Sequence, residues 1–225
     1  MFKKLVSVWR GKTTLLDETI SDFKQMLQLG NDILQKATDV FFSEHKMSSI
    51  KQDIYAMDTR INNLEQHIRK KLVEQLSSGE AEPVAACLIL MSISKDVERI
   101  GDYAKNIYEV FEYSDTINNS GCFSPLQSLN KRILDLYAAV ITSYAAEDLD
   151  RSKKLVFEIY KEQKLCDDEV RKLLRGQGCS EAAACALMYR FFKRILAHLS
   201  NISTSVFMPV TKLDFFDEDA RPKQP

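Results

Sequence analysis

Glycine and proline are scarce, with 7 and 5 in 225 residues. The chain also lacks short alternating apolar runs and carries long helical periodicities instead, which predicts an all-α fold. Only three histidines occur, His45, His67 and His198. They are too scattered for a zinc centre, and no Glu-x-x-His pair exists, which argues against a di-iron oxidase of the ferritin type. The five cysteines (Cys87, Cys122, Cys166, Cys179, Cys185) form an odd set without a Cys-x-x-Cys pair. A reduced, cytoplasmic setting is the expectation. No run approaches 18 consecutive apolar residues, and the first residues lack a secretory pattern. Charge of one sign is not in excess: 31 basic and 32 acidic side chains give a net charge of −1, mixed along every helix. Without a basic stripe, nucleic acid is not an expected partner. No glycine-rich phosphate loop, nucleophile elbow or Cys/His dyad is found, so the chain reads as a non-enzyme.

What is present is helical. The expected helices cover about 13–43, 47–78, 83–113, 125–147, 149–175 and 180–208. Pro83 and Ser124-Pro125 supply start signals, since a first-turn proline has no N–H to lose. Gly176, Gly178 and Ser180 supply a stop followed by a cap. Asn118-Asn119-Ser120-Gly121 is the strongest breaker cluster and sets the boundary between two halves. Short connections make each half an up-down-up bundle. The organisation is a leader at 1–12, a first three-helix repeat at 13–113, a second at 125–212 and a loose tail at 213–225.

In the third helix Leu90, Ile93, Val97, Ile100, Ala104, Ile107 and Phe111 form a seam spaced alternately three and four apart. A shift of 95 residues gives Cys185, Met188, Phe192, Ile195, Leu199, Ile202 and Val206, all apolar, so the chain is a diverged duplication. Within the first seam, Glu98 and Asp102 stand one turn apart, with Lys95, Arg99 and Lys105 near enough to neutralise them. On the seam register both point away from the main core. Two readings stay open for them: a solvated face, or oxygen ligands for a hard cation.

The run Glu98-Arg99-Ile100-Gly101-Asp102, followed by Asn106-Ile107, resembles the Glu/Asp-x-x-x-Asp motif of the PhoU family, regulators of bacterial and archaeal phosphate uptake. The resemblance implies two three-helix bundles related by a pseudo-two-fold axis. It implies a cytoplasmic, non-enzymatic adaptor between a phosphate transporter's cytoplasmic subunit and a sensor histidine kinase, or a direct modulator of transport. Membrane association would be peripheral, through those partners, and the protein would form a homodimer. The alternative is a metal-binding bundle in which the metal is stored or structural.

A family member can carry metal in each repeat. Antiparallel pairing about residue 80 sets Asp58 level with Asp102 and Asn62 level with Glu98, so Asp58, Asn62, Glu98 and Asp102 are the candidate ligands of at most one divalent or ferric ion. In the second half Glu98 becomes Lys193 and Asp102 becomes Ala197. Glu162 and Gln163 are expected opposite Lys193, where a salt bridge replaces a metal. If Asp167 is the counterpart of Asp58, the 26 residues from Asp167 to Lys193 replace 40, a hairpin about two turns shorter. His198, aligned with Tyr103, is expected in a structural hydrogen bond. The leader interleaves Phe2, Leu5, Val6, Val8 and Trp9 with Lys3, Lys4, Arg10 and Lys12. It is expected to cover the bundle or a partner subunit, with a membrane surface as the other reading.

Overall fold

A computed structural model describes residues 14–43, 49–77, 84–114, 121–176 and 181–213. The six helices are α1 (Leu15–Ser43), α2 (Ile50–Ser77), α3 (Val84–Tyr113), α4 (Phe123–Ala146), α5 (Leu149–Leu174) and α6 (Ala182–Thr204). A 3-10 turn at Val210–Lys212 follows, and the described residues contain no strand. The leader, Pro83, Asn118-Asn119-Ser120 of the breaker, Gly178, Ser180 and the tail beyond residue 213 lie outside the described residues. Leu213, expected to open the loose tail, is buried, and its carbonyl accepts from Thr204 Oγ1 at 3.0 Å.

Local chemistry fixes the ends. Thr14 and Asp17 close a reciprocal capping box at the start of α1: Asp17 N donates to Thr14 Oγ1 at 3.1 Å, and Thr14 N donates to Asp17 Oδ2 at 2.9 Å. Pro125 sits in the first turn of α4, as its missing N–H favours. Asp148 caps α5 by accepting from Arg151 N at 2.9 Å. Gly176 adopts φ +72°, the left-handed conformation that stops α5, and its N–H donates to Leu173 O. The last helix ends at Thr204, short of the expected residue 208, because the backbone tightens into turns at 205–207.

Both seams read from the sequence are interior. Every member except Phe111 is buried, and Phe111 packs partly buried against the same core. Each fully buried Leu, Ile or Phe contributes roughly 1.5–3 kcal/mol, so these seams dominate the stability of the bundle. The core is continuous across all six helices rather than divided between two halves. Of the described cysteines, Cys87, Cys166 and Cys185 are buried, and burial pushes the Cys166 thiol up to about 12. Cys122 is disulfide-bonded, which departs from the expected fully reduced set.

The halves meet through α3 against α6 and α1 against α4. On α1 and α4, Phe23 lies 5.0 Å from Tyr144 and Phe42 lies 5.5 Å from Phe123, ring to ring, so these helices run antiparallel. On α3 and α6, Asp96 meets His198 at 2.7 Å and Tyr103 meets Phe191 at 5.9 Å, again antiparallel. The repeat offset of 95 carries Asp96 onto Phe191 and Tyr103 onto His198. One polar pair and one aromatic pair therefore occupy mirrored positions, an arrangement consistent with a pseudo-two-fold axis between the helices. Between them Tyr103 and His198, which correspond under the repeat, stack at 5.9 Å.

Asp96 is wholly buried at this junction. Its Oδ1 takes His198 Nδ1 at 2.7 Å and Asn201 Nδ2 at 3.1 Å, while Oδ2 has no donor. His198 thus has the structural role expected of it, and that role is to hold the two repeats together.

Candidate functional site

The candidate site begins with α2. Its buried residues are Ile54, Asp58, Ile61, Glu65, Ile68 and Leu72, alternately four and three apart. Two of these six seam positions hold carboxylates, which must be compensated where they are buried. Facing them is Gly101 of α3. A Cβ there would meet Ile61 Cδ1 at 3.2 Å and Asp58 Oδ1 at 3.7 Å, so glycine lets the acidic seam approach the motif closely.

The observed register is close to the expected one. Lys51 pairs with Glu112 at 2.8 Å, Tyr55 with Glu109 at 3.3 Å and Asp58 with Lys105 at 2.9 Å, and Gly101 lies over Ile61. Asp58 lies between Gly101, where a Cβ would be 3.7 Å from its Oδ1, and the Lys105 ammonium, close to the expected level of Asp102. Asp58 and Asp102 are brought together by Lys105, whose Nζ lies 2.9 Å from Asp58 Oδ2 and 3.0 Å from Asp102 Oδ1. Asn62 is half-buried and donates weakly to Asp58 Oδ2 at 3.4 Å, on the same helix rather than across to Glu98.

Glu98 does not point cleanly away from the core. It is half-buried, and its carboxyl is raised above the ordinary value near 4.5, first by burial and then by Asp102, with Glu65 and Asp58 adding to the effect and Arg99 opposing it. Glu65, 8% exposed, is the residue that reading the sequence missed. Its signal was available: it stands seven residues after Asp58 on the same apolar seam. Arg69 Nη2 lies 2.7 Å from Glu65 Oε1, but not at a hydrogen-bonding angle, and that oxygen is left without a donor, as are Asp58 Oδ1 and Asn62 Oδ1. Asp102 lies at the rim with Arg99 Nη1 3.3 Å away.

The sign of the Glu98 shift sets a pH dependence. A carboxyl raised in the folded state costs nothing below about pH 4.5, and its cost grows as pH rises through the folded value, so it is fully present at neutral pH. Glu98→Gln is expected to raise stability at pH 7 by about 0.5 kcal/mol, the scale of a relieved like-charge helical pair. Thermal melts of both proteins from pH 4 to 8 check this: the gap should close toward pH 4, and a gap independent of pH would reject it.

The second repeat corrects one expectation. Lys193 Nζ lies 2.7 and 2.6 Å from the two oxygens of Asp167, so its partner is Asp167 and not Glu162 or Gln163. Glu162 turns instead to Arg132 of α4 at 3.0 Å, and Gln163 is buried.

These residues were tested as a metal centre. Among the described residues no three His, Cys, Asp or Glu side chains converge on a common point suited to an ion. The position between Asp58 and Asp102 belongs to the Lys105 ammonium. As placed, the side chains do not fit a metal, although the donor oxygens left without partners on α2 are of the hard type such an ion takes.

A PhoU domain model matches residues 23–111, the span that holds α2, α3 and the acidic motif. The phosphate-specific transport system accessory protein PhoU of Escherichia coli K12 is 25% identical over 205 residues, covering 85% of this chain and 83% of that protein. The chain carries a match to the PhoU domain in its first half and is similar along most of its length to PhoU accessory proteins. The Serratia marcescens PhoU accessory protein is 26% identical over 156 residues, 67% of this chain but 62% of that protein, so under two thirds of its length is spanned. The crystal structure of the PhoU regulatory protein from Streptococcus pneumoniae superposes with a TM-score of 0.74 at 17% identity, covering 89% of this chain and 95% of that one. It shows the same fold: the all-helical PhoU architecture persists where side chains have diverged.

Proposed function

We propose that this PhoU-like protein regulates phosphate uptake as a non-enzymatic accessory protein of a phosphate transporter. It relays the transporter's state to a sensor histidine kinase, or modulates transport directly. The observation that carries this reading is the sequence likeness to proteins named as accessory to phosphate-specific transport systems, along most of the chain in the Escherichia coli case. The fold supports it physically. A continuous core through six long helices makes one stiff body whose faces can dock on two partners. No helix among the described residues is long and apolar enough to cross a membrane. On this reading the protein works in the cytoplasm as a homodimer and reaches the membrane peripherally, through the transporter's cytoplasmic subunit and the kinase. The docking face is the α2–α3 side, where Glu98, Asp102 and Arg99 reach solvent and charge complementarity steers the encounter.

The test is capture of the tagged protein from phosphate-replete cells in mild detergent, with co-purifying proteins identified by mass spectrometry. A transporter subunit or sensor kinase is expected, and both should be lost with Glu98→Ala plus Asp102→Ala while the circular dichroism spectrum is retained. Recovery of neither by the unaltered protein, with the transporter present in the extract, would reject the adaptor role.

A further inference from the structure

We propose that this chain holds the interhelical carboxylates of both repeats with its own lysine ammoniums, and so dispenses with the metal that its family resemblance implies. In the first repeat one cationic atom, Lys105 Nζ, bridges Asp58 of α2 and Asp102 of α3 at 2.9 and 3.0 Å. That is the task an ion would perform between the same helices. In the second repeat Lys193 Nζ grips both oxygens of Asp167 at 2.7 and 2.6 Å, again tying the third helix of the repeat to the second.

The two lysines are not copies of one ancestral residue. Under the offset of 95, Lys193 stands at the position of Glu98, and Lys105 stands at that of Ser200. A tethered ammonium has therefore been placed at two different levels of the repeat to close the same pair of helices. Such a cation is always present, because its stem is part of the chain. It is also compact and carries three donors, which suits a crowded carboxylate site.

What Lys105 displaces is still visible. Asp58 Oδ1 and Asn62 Oδ1 are buried without a donor, beside the Asp58 oxygen that Lys105 takes. Removing the ammonium would leave Asp58, Asn62 and Asp102 as oxygen donors around a vacated cationic position, the donor set of a hard ion. The metal site is latent, and lysine keeps it closed.

The experiment compares the full chain with Lys105→Met. Each is dialysed against EDTA, offered Mn2+, Zn2+ or Fe3+ in turn, desalted, and measured for bound metal and for Tm. The unaltered protein is expected to retain no stoichiometric metal and to melt at the same temperature with and without each ion. Lys105→Met is expected to melt lower in EDTA and to recover part of that loss with at least one of the ions. Uptake of an ion per chain by the unaltered protein, with a rise in Tm, would overturn the proposal. So would a Lys105→Met variant whose Tm is unchanged in EDTA or indifferent to every ion. If that variant does not fold, Asp58→Asn with Lys105→Met removes the stranded charge. This double variant should fold and melt near the unaltered protein, and failure to do so would remove the counter-ion role. No partner enters the assay, so it can fail while the phosphate-uptake reading stands.

Discussion

Replacing His198 with alanine is expected to destabilise the protein by about 3 kcal/mol, because it strips the principal partner from a fully buried carboxylate. Asp96 has no exposed surface, its Oδ2 already lacks a donor, and Oδ1 would keep only Asn201 at 3.1 Å. For a chain of this size that corresponds to a fall in Tm on the order of 6–12 °C. The stacking of His198 on Tyr103 would be lost as well, at 5.9 Å a smaller contribution. The charge can be separated from the packing. In an Asp96→Asn background the acceptor survives without the charge, and His198→Ala should then cost only about 1 kcal/mol, the scale of a neutral hydrogen bond. Urea unfolding of the four proteins measures the coupling. Equal costs in the two backgrounds would mean that His198 merely fills space at the junction.

The second large effect lies at the other contact between repeats. Gly30 sits in the middle of α1, where a Cβ would come 2.4 Å from Tyr137 Oη and 3.0 Å from Val97 Cγ1. Tyr137 is fully buried in α4 and cannot swing away, and its hydroxyl has no hydrogen-bond partner. Burial drives that hydroxyl's ionisation far above its ordinary range, so it stays a neutral phenol. Gly30→Ala is expected to cost about 1–3 kcal/mol through overpacking, against a gain of about 1 kcal/mol in helix propensity. Tyr137→Phe alone should be neutral or stabilising, since it removes an unsatisfied buried polar atom. The double variant inverts the result. With the hydroxyl gone, the nearest ring atom a Cβ would meet is 3.6 Å away, so Gly30→Ala becomes favourable if Val97 yields a few tenths of an ångström. Chemical denaturation of the two single variants and the double decides it. A Gly30→Ala cost that persists in the Tyr137→Phe background would assign the strain to Val97 instead.

The two junction sites explain how diverged repeats remain one body. Helix α3 meets α6 through a charged hydrogen-bonded cluster on one side and an aromatic pair on the other. Meanwhile α1 meets α4 through a tyrosine admitted by a glycine. Neither glycine nor carboxylate announces this in the sequence, because Gly30 reads as an interruption in a helical run and Asp96 reads as one more surface charge.

The sequence by itself determined the elements. Periodicity at three and four residues, a shortage of glycine and proline, and start and stop signals at Pro125 and Gly176 are local properties, and local hydrogen bonding enforces them. The duplicated seam was legible for the same reason: whichever way a helix is rotated in the bundle, an apolar stripe must face inward. Glu98 and Asp102 could be singled out because charged residues one turn apart share a face, and Asp58 because antiparallel pairing of the two helices sets it opposite them. What only the tertiary structure decided was which side chains meet across the helices. Helices of 28 and 30 residues can slide and rotate against one another at little local cost, so the sequence could not say that the Lys105 ammonium would stand between Asp58 and Asp102. In the first hairpin Lys105 stands between the two carboxylates and Glu65 raises the Glu98 carboxyl, while in the second Lys193 takes Asp167. Pairing across helices is set by how side chains of different size interlock along the whole interface, a sum over many contacts that no short motif contains.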